Sequence, residues 1–266
     1  MNVKGVIFDW AGTVVDHGSR APVATLEAIF LSAGVPVTVG EARASMGIAK
    51  KDHIQAILRL DRVREAWEAV HGVNPGEAEL EKLYTEFIPR QFDCLLKHSD
   101  VIQGVPETVE RLRARGLKIG SSTGYTRPML EMLAAAAERQ GFRPDAAFCP
   151  SDVPAGRPAP WMCFANAMRI GVYPMAAMVK IGDTPSDMEE GRNAGMWTIG
   201  ITRTGNETGL TQAEWDEMPD HDREPVLRNA ASRLVHAGAH YIAASVAEAE
   251  ALIDSIDDAI AAGLRP

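Results

Sequence analysis

Cysteine is scarce in this sequence. Only three of the 266 residues are cysteines, and they are Cys94, Cys149 and Cys163. They form no Cys-x-x-Cys pair and no disulfide framework of the kind that small secreted domains carry. We therefore expect each of them to be a small buried apolar residue rather than a nucleophile. This cysteine usage predicts a reducing compartment, and we expect a cytoplasmic protein.

Basic charge is also in short supply. The chain has 27 lysines and arginines against 36 aspartates and glutamates, which gives a net charge of −9. Such a chain has no basic excess with which to neutralise the phosphates of a nucleic acid or an anionic membrane, so neither is expected as a partner. No apolar run approaches the roughly 20 residues that span a bilayer. A small anionic substrate remains compatible, provided that a metal ion or a local cationic pocket receives it.

Short apolar segments alternate with amphipathic helical segments along most of the chain. The expected strands are 6–8, 117–122, 146–149, 178–183, 197–201 and 240–243. Such alternation is typical of an α/β fold with a doubly wound parallel sheet. The stretch 20–99 differs, because it shows helical periodicity and no convincing strand. We therefore predict an α/β core formed by residues 1–19 and 100–266, with residues 20–99 inserted as an α-helical cap domain.

Asp9 directly follows the apolar run Val6-Ile7-Phe8, at the carboxyl end of the first expected strand. In an open α/β sheet this edge is where ligands bind. Ala11, Gly12 and Thr13 then form a loop of small residues whose N–H groups can approach an anion closely. The alternative interpretation is that Asp9 is only a turn residue or a helix cap.

Polar groups of distinct types follow three further expected strands. These groups are Thr123 with Gly124, Arg157, and Asp183 with Asp187. Because the carboxyl ends of parallel strands meet at one edge of a sheet, we expect all of them to lie close to Asp9. Together they favour a functional site over a set of unrelated turn residues and caps.

The chemistry of this set points to phosphoryl transfer. Asp9 and Asp183 are hard oxygen ligands that suit Mg²⁺, a metal that also binds substrate phosphate. The Thr123 hydroxyl, loop N–H groups and Arg157 are expected to hold the other phosphoryl oxygens. With its charge repulsion cancelled by the metal, Asp9 can attack phosphorus and form an aspartyl-phosphate. Asp187 is expected to orient metal-bound waters from the next layer of residues.

The arrangement resembles the haloacid dehalogenase-like superfamily of aspartate-nucleophile phosphotransferases, including a helical cap between the first two motifs. One position departs from the usual pattern. Phosphatases of this group usually carry a second Asp two residues after the nucleophile, where it serves as acid and base. Here that position is Ala11, which cannot transfer a proton. Ordinary phosphoester hydrolysis is therefore disfavoured.

Lys50 offers another way to activate a leaving group, because a lysine amine can form a Schiff base with a carbonyl substrate. Taken alone, Lys50 and Lys51 are more simply interpreted as a solvated charge pair. Longer motifs favour Lys50 as a Schiff-base residue, because they resemble those of the phosphonoacetaldehyde hydrolase (phosphonatase) family. These motifs begin at Asp9 (DWAGT), Met46 (MGIAKKDH), Gly120 (GSSTGYTR), Val153 (VPAGRPAPWM) and Gly191 (GRNAGMW).

This resemblance implies hydrolysis of the C–P bond of phosphonoacetaldehyde to acetaldehyde and phosphate. The aldehyde would condense with Lys50, Asp9 would attack phosphorus, and the carbon would leave as an enamine. The backbone carbonyl of Ala11 would help to bind Mg²⁺, so this position needs no functional group on its side chain. Since the amine must be neutral to react, we expect desolvation or positive charges such as Lys51 and Mg²⁺ to lower its pKa.

The resemblance also assigns roles around the two reacting residues. The residues assigned to phosphate binding are Gly12, Thr123, Gly124 and Arg157. The metal ligands are Asp9, Ala11 and Asp183, and Asp187 orients the metal-bound waters. The substrate pocket includes Met46, His53 and Tyr125. Two interpretations of His53 stay open, a proton shuttle or a residue that only packs and hydrogen-bonds. The family further implies a homodimer joined through cap helices.

Three other functions make different demands on the same residues. A phosphomonoester or sugar-phosphate phosphatase of this superfamily would have to work without an acid at Ala11. A haloacid dehalogenase needs no Mg²⁺ and gains nothing from Asp183 with Asp187. A phosphate-binding module without catalysis would tolerate the loss of the Asp9 carboxylate.

Overall fold

The strand that leads into Asp9 lies at the centre of the sheet. The computed structural model describes residues 1–266. The strands are β1 (Gly5–Phe8), β2 (Lys118–Ser122), β3 (Ala146–Phe148), β4 (Met178–Gly182), β5 (Trp197–Ile201) and β6 (Tyr241–Ala243). They form one parallel sheet in the order β3-β2-β1-β4-β5-β6, which confirms the predicted doubly wound α/β fold.

Twelve α-helices accompany the sheet. They are α1 (Arg20–Ser32), α2 (Val39–Arg43), α3 (Lys50–Leu58), α4 (Asp61–His71), α5 (Glu77–Lys97), α6 (Val105–Ala114), α7 (Arg127–Glu138), α8 (Trp161–Ile170), α9 (Pro185–Asn193), α10 (Gln212–Glu217), α11 (Asp220–His236) and α12 (Val246–Ala261). None of them combines the length and the apolar character that crossing a membrane requires.

The register of the central strands brings three polar segments to the same level. Gly5–Phe8 of β1 pairs with Lys118–Ser121 of β2 on one side and with Met178–Ile181 of β4 on the other. All four residues of β1 are buried, as expected for a strand covered on both faces. The residues that follow β1, β2 and β4 therefore meet at one edge of the sheet.

Helices α1 to α5 are all inserted between β1 and α6. The two connections to this insert run side by side, because the N–H of Ile102 donates to the carbonyl of Val14 at 2.8 Å. Thr38 and Glu41 form the capping box that the sequence predicts at the start of α2. The division into a core of 1–19 and 100–266 and a cap of 20–99 stays a prediction.

Two helices differ from the sequence prediction. The apolar pattern predicts a helix from about Met188, but α9 begins at Pro185, because Thr184 caps it and proline suits a first turn. The polar segment 202–228 favours a loop and short helices; α10 is such a helix, but α11 extends from Asp220 to His236. Its apolar positions are few, so the helical period is weak in the sequence.

Candidate active site

Asp9 lies at the carboxyl end of β1, where its N–H donates to the carbonyl of Ile181 at 2.9 Å. Its side chain is buried, and its Oδ1 is 2.7 Å from Nη2 of Arg157. Trp10 anchors the following loop by an edge-to-face contact with Phe142, the ring centroids being 5.4 Å apart. Burial raises the pKa of Asp9, and so does the charge of Asp187, while Arg157 acts in the opposite direction.

Asp183 follows β4 in the same way and is fully buried. The Thr13 hydroxyl donates to its Oδ1 at 3.0 Å, and the backbone N–H of Asn206 donates to its Oδ2 at 2.7 Å. Burial raises the pKa of Asp183 well above its usual range, and the charge of Asp9 adds to this effect. The two loops that flank Asp183 thus fix both of its oxygens.

A buried group of carboxylates at this edge could bind a metal ion. Ligand oxygens of Asp9, Asp183 and Asp187 lie within 4.8 Å of one another. The buried charges connected here are Asp9, Asp183, Asp187, Glu190, Arg157 and Lys180. Carboxylates outnumber cations in this group by four to two. A divalent cation would favour the ionised forms of Asp9 and Asp183, whose pKa values burial raises, so the donor set fits such an ion.

Arg157 connects the carboxylates of the site. Its Nη1 is 2.9 Å from Asp187, and its Nε is 2.9 Å from Glu190. Its guanidinium also donates to the backbone carbonyls of Ser122 at 2.7 Å and of Gly47 at 3.3 Å. Binding of phosphoryl oxygens by Arg157, as the sequence predicts, therefore requires the release of some of these partners.

The two adjacent lysines lie in opposite environments. Lys50, the first residue of α3, is buried with its Nζ 4.7 Å from the centre of the Tyr125 ring. Burial lowers the pKa of Lys50 to about 8, although the charge of Asp9 opposes the shift. Lys51 instead forms surface ion pairs with Glu77 and Glu81. The expected lowering of the pKa of Lys50 thus has burial as its main cause, and the positive charge that adds to it is that of Arg157 rather than that of Lys51.

Most of the predicted site residues surround one small cavity. Those that line it are Asp9, Ala11, Met46, Lys50, Thr123, Gly124, Tyr125 and Arg157. Ser19, which was not predicted, also lines the cavity and has a left-handed backbone (φ 50°). The cavity measures about 20 Å³, which is room for about one water molecule. The buried lysine and the buried aspartate thus face the same enclosed space.

His53 lies behind this cavity rather than in its wall. Its Nε2 is 2.8 Å from the carbonyl of Ala42, and its Nδ1 is buried without a partner. Burial lowers the pKa of His53 to about 3, and the nearby charge of Lys50 acts in the same direction. The ring is therefore neutral at physiological pH, with the hydrogen on Nε2 and a free acceptor at Nδ1. This geometry favours a hydrogen-bonding role over that of a shuttle that starts protonated.

Comparisons with known proteins show the family of this chain. The family model for haloacid dehalogenase-like hydrolases matches residues 3–195. A protein of Syntrophobacter fumaroxidans named phosphonoacetaldehyde hydrolase-like protein is 47% identical, over 99% of this chain and 95% of its own. The chain therefore belongs to the haloacid dehalogenase-like hydrolases.

Further relatives of this hydrolase bear similar names. A phosphonoacetaldehyde hydrolase of Nitratidesulfovibrio vulgaris is 46% identical, over 99% of this chain and 94% of its own. The crystal structure of a phosphonoacetaldehyde hydrolase-like protein from Oleispira antarctica superposes with a TM-score of 0.98 at 36% identity, covering 100% of this chain and 96% of that one. The hydrolase thus shares its complete fold with these relatives.

Several polar residues of the hydrolase site were not singled out from the sequence. Lys180 is fully buried in β4, and its Nζ lies 2.9 Å from Asp187, 3.1 Å from Glu190 and 2.8 Å from the Ser122 hydroxyl. A lysine in the middle of an otherwise apolar central strand is a signal that could have revealed it. Glu190 stands three residues after Asp187 on α9 and so lies on the same helix face.

Gly12 is a position where the hydrolase requires glycine. Its φ is +81°, and a Cβ there would lie 2.2 Å from Oδ2 of Asp183. We expect Gly12→Ala to cost about 1–3 kcal/mol of unfolding free energy and to displace the Asp183 carboxylate. Turnover should fall at least about tenfold, since second-layer disturbance of a metal site commonly has this effect. Urea unfolding and initial rates measure the two effects.

Gly116→Ala provides the matched control for this change. Gly116 also has a positive φ, +86°, but nothing lies within 4 Å of its Cβ position. Its stability cost should be similar while turnover stays within about twofold of the wild type. Equal turnover in the two variants would contradict the role assigned to Gly12.

Proposed function

We propose that this hydrolase cleaves the C–P bond of phosphonoacetaldehyde and releases acetaldehyde and phosphate. The observation that carries the proposal is that Lys50 and Asp9 face one cavity, in which the wall residue two positions after Asp9 is Ala11 and not an acid. A lysine is the group that this site offers for activating a carbon leaving group. The names of relatives at 46–47% identity support the same substrate.

Lys50 is the proposed electron sink. With a pKa of about 8, a useful fraction of its amine is neutral near physiological pH. The amine adds to the aldehyde carbon, loss of water leaves an imine, and uptake of one proton from solvent gives the protonated imine. The buried hydroxyl of Tyr125, which has no partner, and the side chain of Met46 shape the space around this adduct.

Asp9 is the proposed nucleophile. One carboxylate oxygen bonds to phosphorus while the C–P bond breaks, and the bonding pair moves toward the imine nitrogen to give an enamine. Protonation of the enamine carbon and addition of water return Lys50 and acetaldehyde. A second water hydrolyses the aspartyl-phosphate, so Asp9 and phosphate are regenerated.

Phosphoryl binding is assigned to the loops around Asp9. Arg157 contacts Asp9 at 2.7 Å, so its guanidinium lies where negative charge moves onto the phosphoryl oxygens. Thr123 and Gly124 line the cavity from the loop after β2. Gly12 packs against Asp183 at the same edge of the sheet, but its N–H donates to the carbonyl of Val15 at 2.7 Å, so a phosphoryl contact from this N–H would require the loop to release that bond.

Mg²⁺ is the divalent ion that we assign to the carboxylates. Asp9, Asp183 and the carbonyl of Ala11 would hold it, and Asp187 would orient its waters. When bound, it supplies positive charge that lets an anionic phosphonate approach an anionic aspartate. The excess of buried carboxylates over cations in this group supports an ion of this charge.

Substrate admission requires the proposed cap to open. The cavity of about 20 Å³ is too small for phosphonoacetaldehyde, and the carbonyl of Gly47 closes it by accepting from Arg157. We assign residues 20–99 to a cap that moves about the paired connections at Val14 and Ile102. A homodimer and a cytoplasmic location remain predictions.

The pKa of Lys50 predicts a pH dependence for adduct formation. With a pKa of about 8, the neutral fraction of the Lys50 amine rises about tenfold with each unit of increasing pH up to pH 8. Above pH 8 this fraction levels off. We expect borohydride inactivation in the presence of the aldehyde to follow this curve. Rates of inactivation between about pH 6 and 10 measure it. A midpoint near 10.5, the ordinary value for lysine, would contradict a buried reacting amine.

The direct test of the proposed function is acetaldehyde release from phosphonoacetaldehyde, with Mg²⁺ and after its removal by chelation. We expect release that depends on the metal. Rapid turnover of simple phosphomonoesters, with no release from the phosphonate, would instead support a phosphatase of the same superfamily.

A further inference from the structure

Arg43, the last residue of α2, joins the helical insert to the loop that follows β5. Its Nη1 donates to the carbonyl of Gly18 at 2.9 Å and to both the carbonyl and the side-chain oxygen of Asn206, at 3.1 and 2.9 Å. Its Nη2 donates to the carbonyl of Gly209 at 3.3 Å. One guanidinium thus holds three backbone carbonyls, of which only that of Gly209 also accepts from Arg20.

Asn206 continues this connection into the metal site. Its backbone N–H donates to Oδ2 of Asp183 at 2.7 Å. The neighbouring Gly205 is packed so tightly that a Cβ there would lie 2.6 Å from Cβ of Asp183. A shift of this loop is therefore transmitted to the Asp183 carboxylate, because no free space separates them.

Helix α2 is also tied to the helix that carries Lys50. The carbonyl of Ala42, next to Arg43, lies 2.8 Å from Nε2 of His53 on α3. His53 stands one turn after Lys50 on the same helix. A continuous path therefore runs from the lysine helix through α2 to the metal carboxylate.

We propose that Arg43 is a positioning residue that fixes Asp183 for metal binding while the insert lies against the core. Without Arg43 the loop at Asn206 loses its hold, and Asp183 loses the donor that orients its Oδ2. Metal binding and closure over the substrate are thereby coupled through one side chain. The proposal deepens the proposed function and rests on it for the identity of the metal.

The test is the affinity for Mg²⁺ of the substrate-free protein, measured by calorimetry. Arg43→Lys keeps the positive charge but not the planar fork, and we expect the dissociation constant to rise at least about tenfold. Borohydride trapping of the aldehyde on Lys50 without metal should stay within about twofold, since the contacts of α3 are intact. A purely stabilising role of Arg43 would lower the melting temperature and leave the dissociation constant unchanged, which would overturn the proposal.

Arg20→Ala is the matched control. The Nη1 of Arg20 donates to the carbonyl of Gly209 at 3.0 Å, so this arginine binds the same loop without touching Asn206. Its dissociation constant for Mg²⁺ should stay within about twofold of the wild type. An equal rise in both variants would overturn the specific path through Asn206.

Asn206→Ala keeps the proposal testable if Arg43→Lys fails to fold. This variant keeps the N–H that faces Asp183 and removes only the side-chain oxygen that Arg43 binds. A rise of about threefold or more in the dissociation constant supports the path, and an unchanged value overturns it. Because the titration needs no substrate, failure of the proposed C–P bond cleavage would be seen separately, as absent acetaldehyde release by the wild type.

Discussion

Replacing Lys50 by arginine is expected to reduce acetaldehyde release at least about 10³-fold, equivalent to about 4 kcal/mol of transition-state stabilisation. A guanidinium stays charged and cannot form a Schiff base, so the carbon leaving group has no electron sink. The side chain lies in the cavity with Asp9, and no other lysine lines that cavity. Steady-state rates and the mass of the borohydride-treated protein measure the loss.

Lys51→Arg is the matched control for this change. Lys51 is next in sequence but pairs with Glu77 and Glu81 on the surface, and arginine can keep those pairs. Turnover should stay within about twofold of the wild type. A melting curve for Lys50→Arg separates lost chemistry from lost folding. An adduct on Lys51, or retained turnover in folded Lys50→Arg, would contradict the assignment.

Asp9→Asn is expected to lower turnover at least about 10³-fold, because an amide does not attack phosphorus as a carboxylate does. The same change should leave the aldehyde adduct on Lys50 intact. It should also move the pH midpoint of borohydride trapping below that of the wild type. In the wild type the negative charge of Asp9 raises the pKa of Lys50, and the amide removes that charge. Loss of turnover with retained, shifted trapping would separate the two chemical steps.

Asp93→Asn removes one negative charge from the exposed surface of α5 and serves as the control. Neither its turnover nor its trapping profile should change by more than about twofold. If Asp9→Asn also abolished trapping, Asp9 would be needed for adduct formation, and the order of steps given above would be wrong. If it retained full turnover, Asp9 would not be the nucleophile.

The sheet and its polar edge were predictable because their signals are local. The central strands β1 and β4 and their neighbour β5 are short, largely apolar runs followed by a polar residue, and 197–201 coincides with the observed Trp197–Ile201. The helix boundaries were less accurate where a side-chain cap sets them. At α9 the hydroxyl of Thr184 and the carboxylate of Asp187 form the cap. Both residues are polar, so the spacing of apolar residues does not show where this helix begins.

The choice between Lys50 and Lys51 rested on a resemblance, and burial supplies an independent reason. Successive residues of a helix point about 100° apart, so only one of two neighbours can face a given cavity. Which one faces it depends on how α3 packs against its neighbours. The structure buries Lys50 and exposes Lys51.

The polar network behind the site shows the limit of sequence analysis. Lys180, Glu190 and Ser122 contact one another across three separate elements, and neither their spacing nor their type reveals the pairing. Arg43 and Asn206 are 163 positions apart in the chain. Such contacts arise only when distant segments fold together.

By itself, the sequence determined the alternation of strands and helices and the residue types at the strand ends. Apolar periodicity and the polar or glycine residues that end an element are local signals, which extend over only a few residues. It also carried the motifs that place the chain in its family. Only the tertiary structure decided which lysine enters the cavity and which carboxylates the Arg157 guanidinium contacts. It also decided how Arg43 reaches the loop beside Asp183. These outcomes depend on burial and on hydrogen bonds between distant segments, which lower the free energy only after the chain has packed.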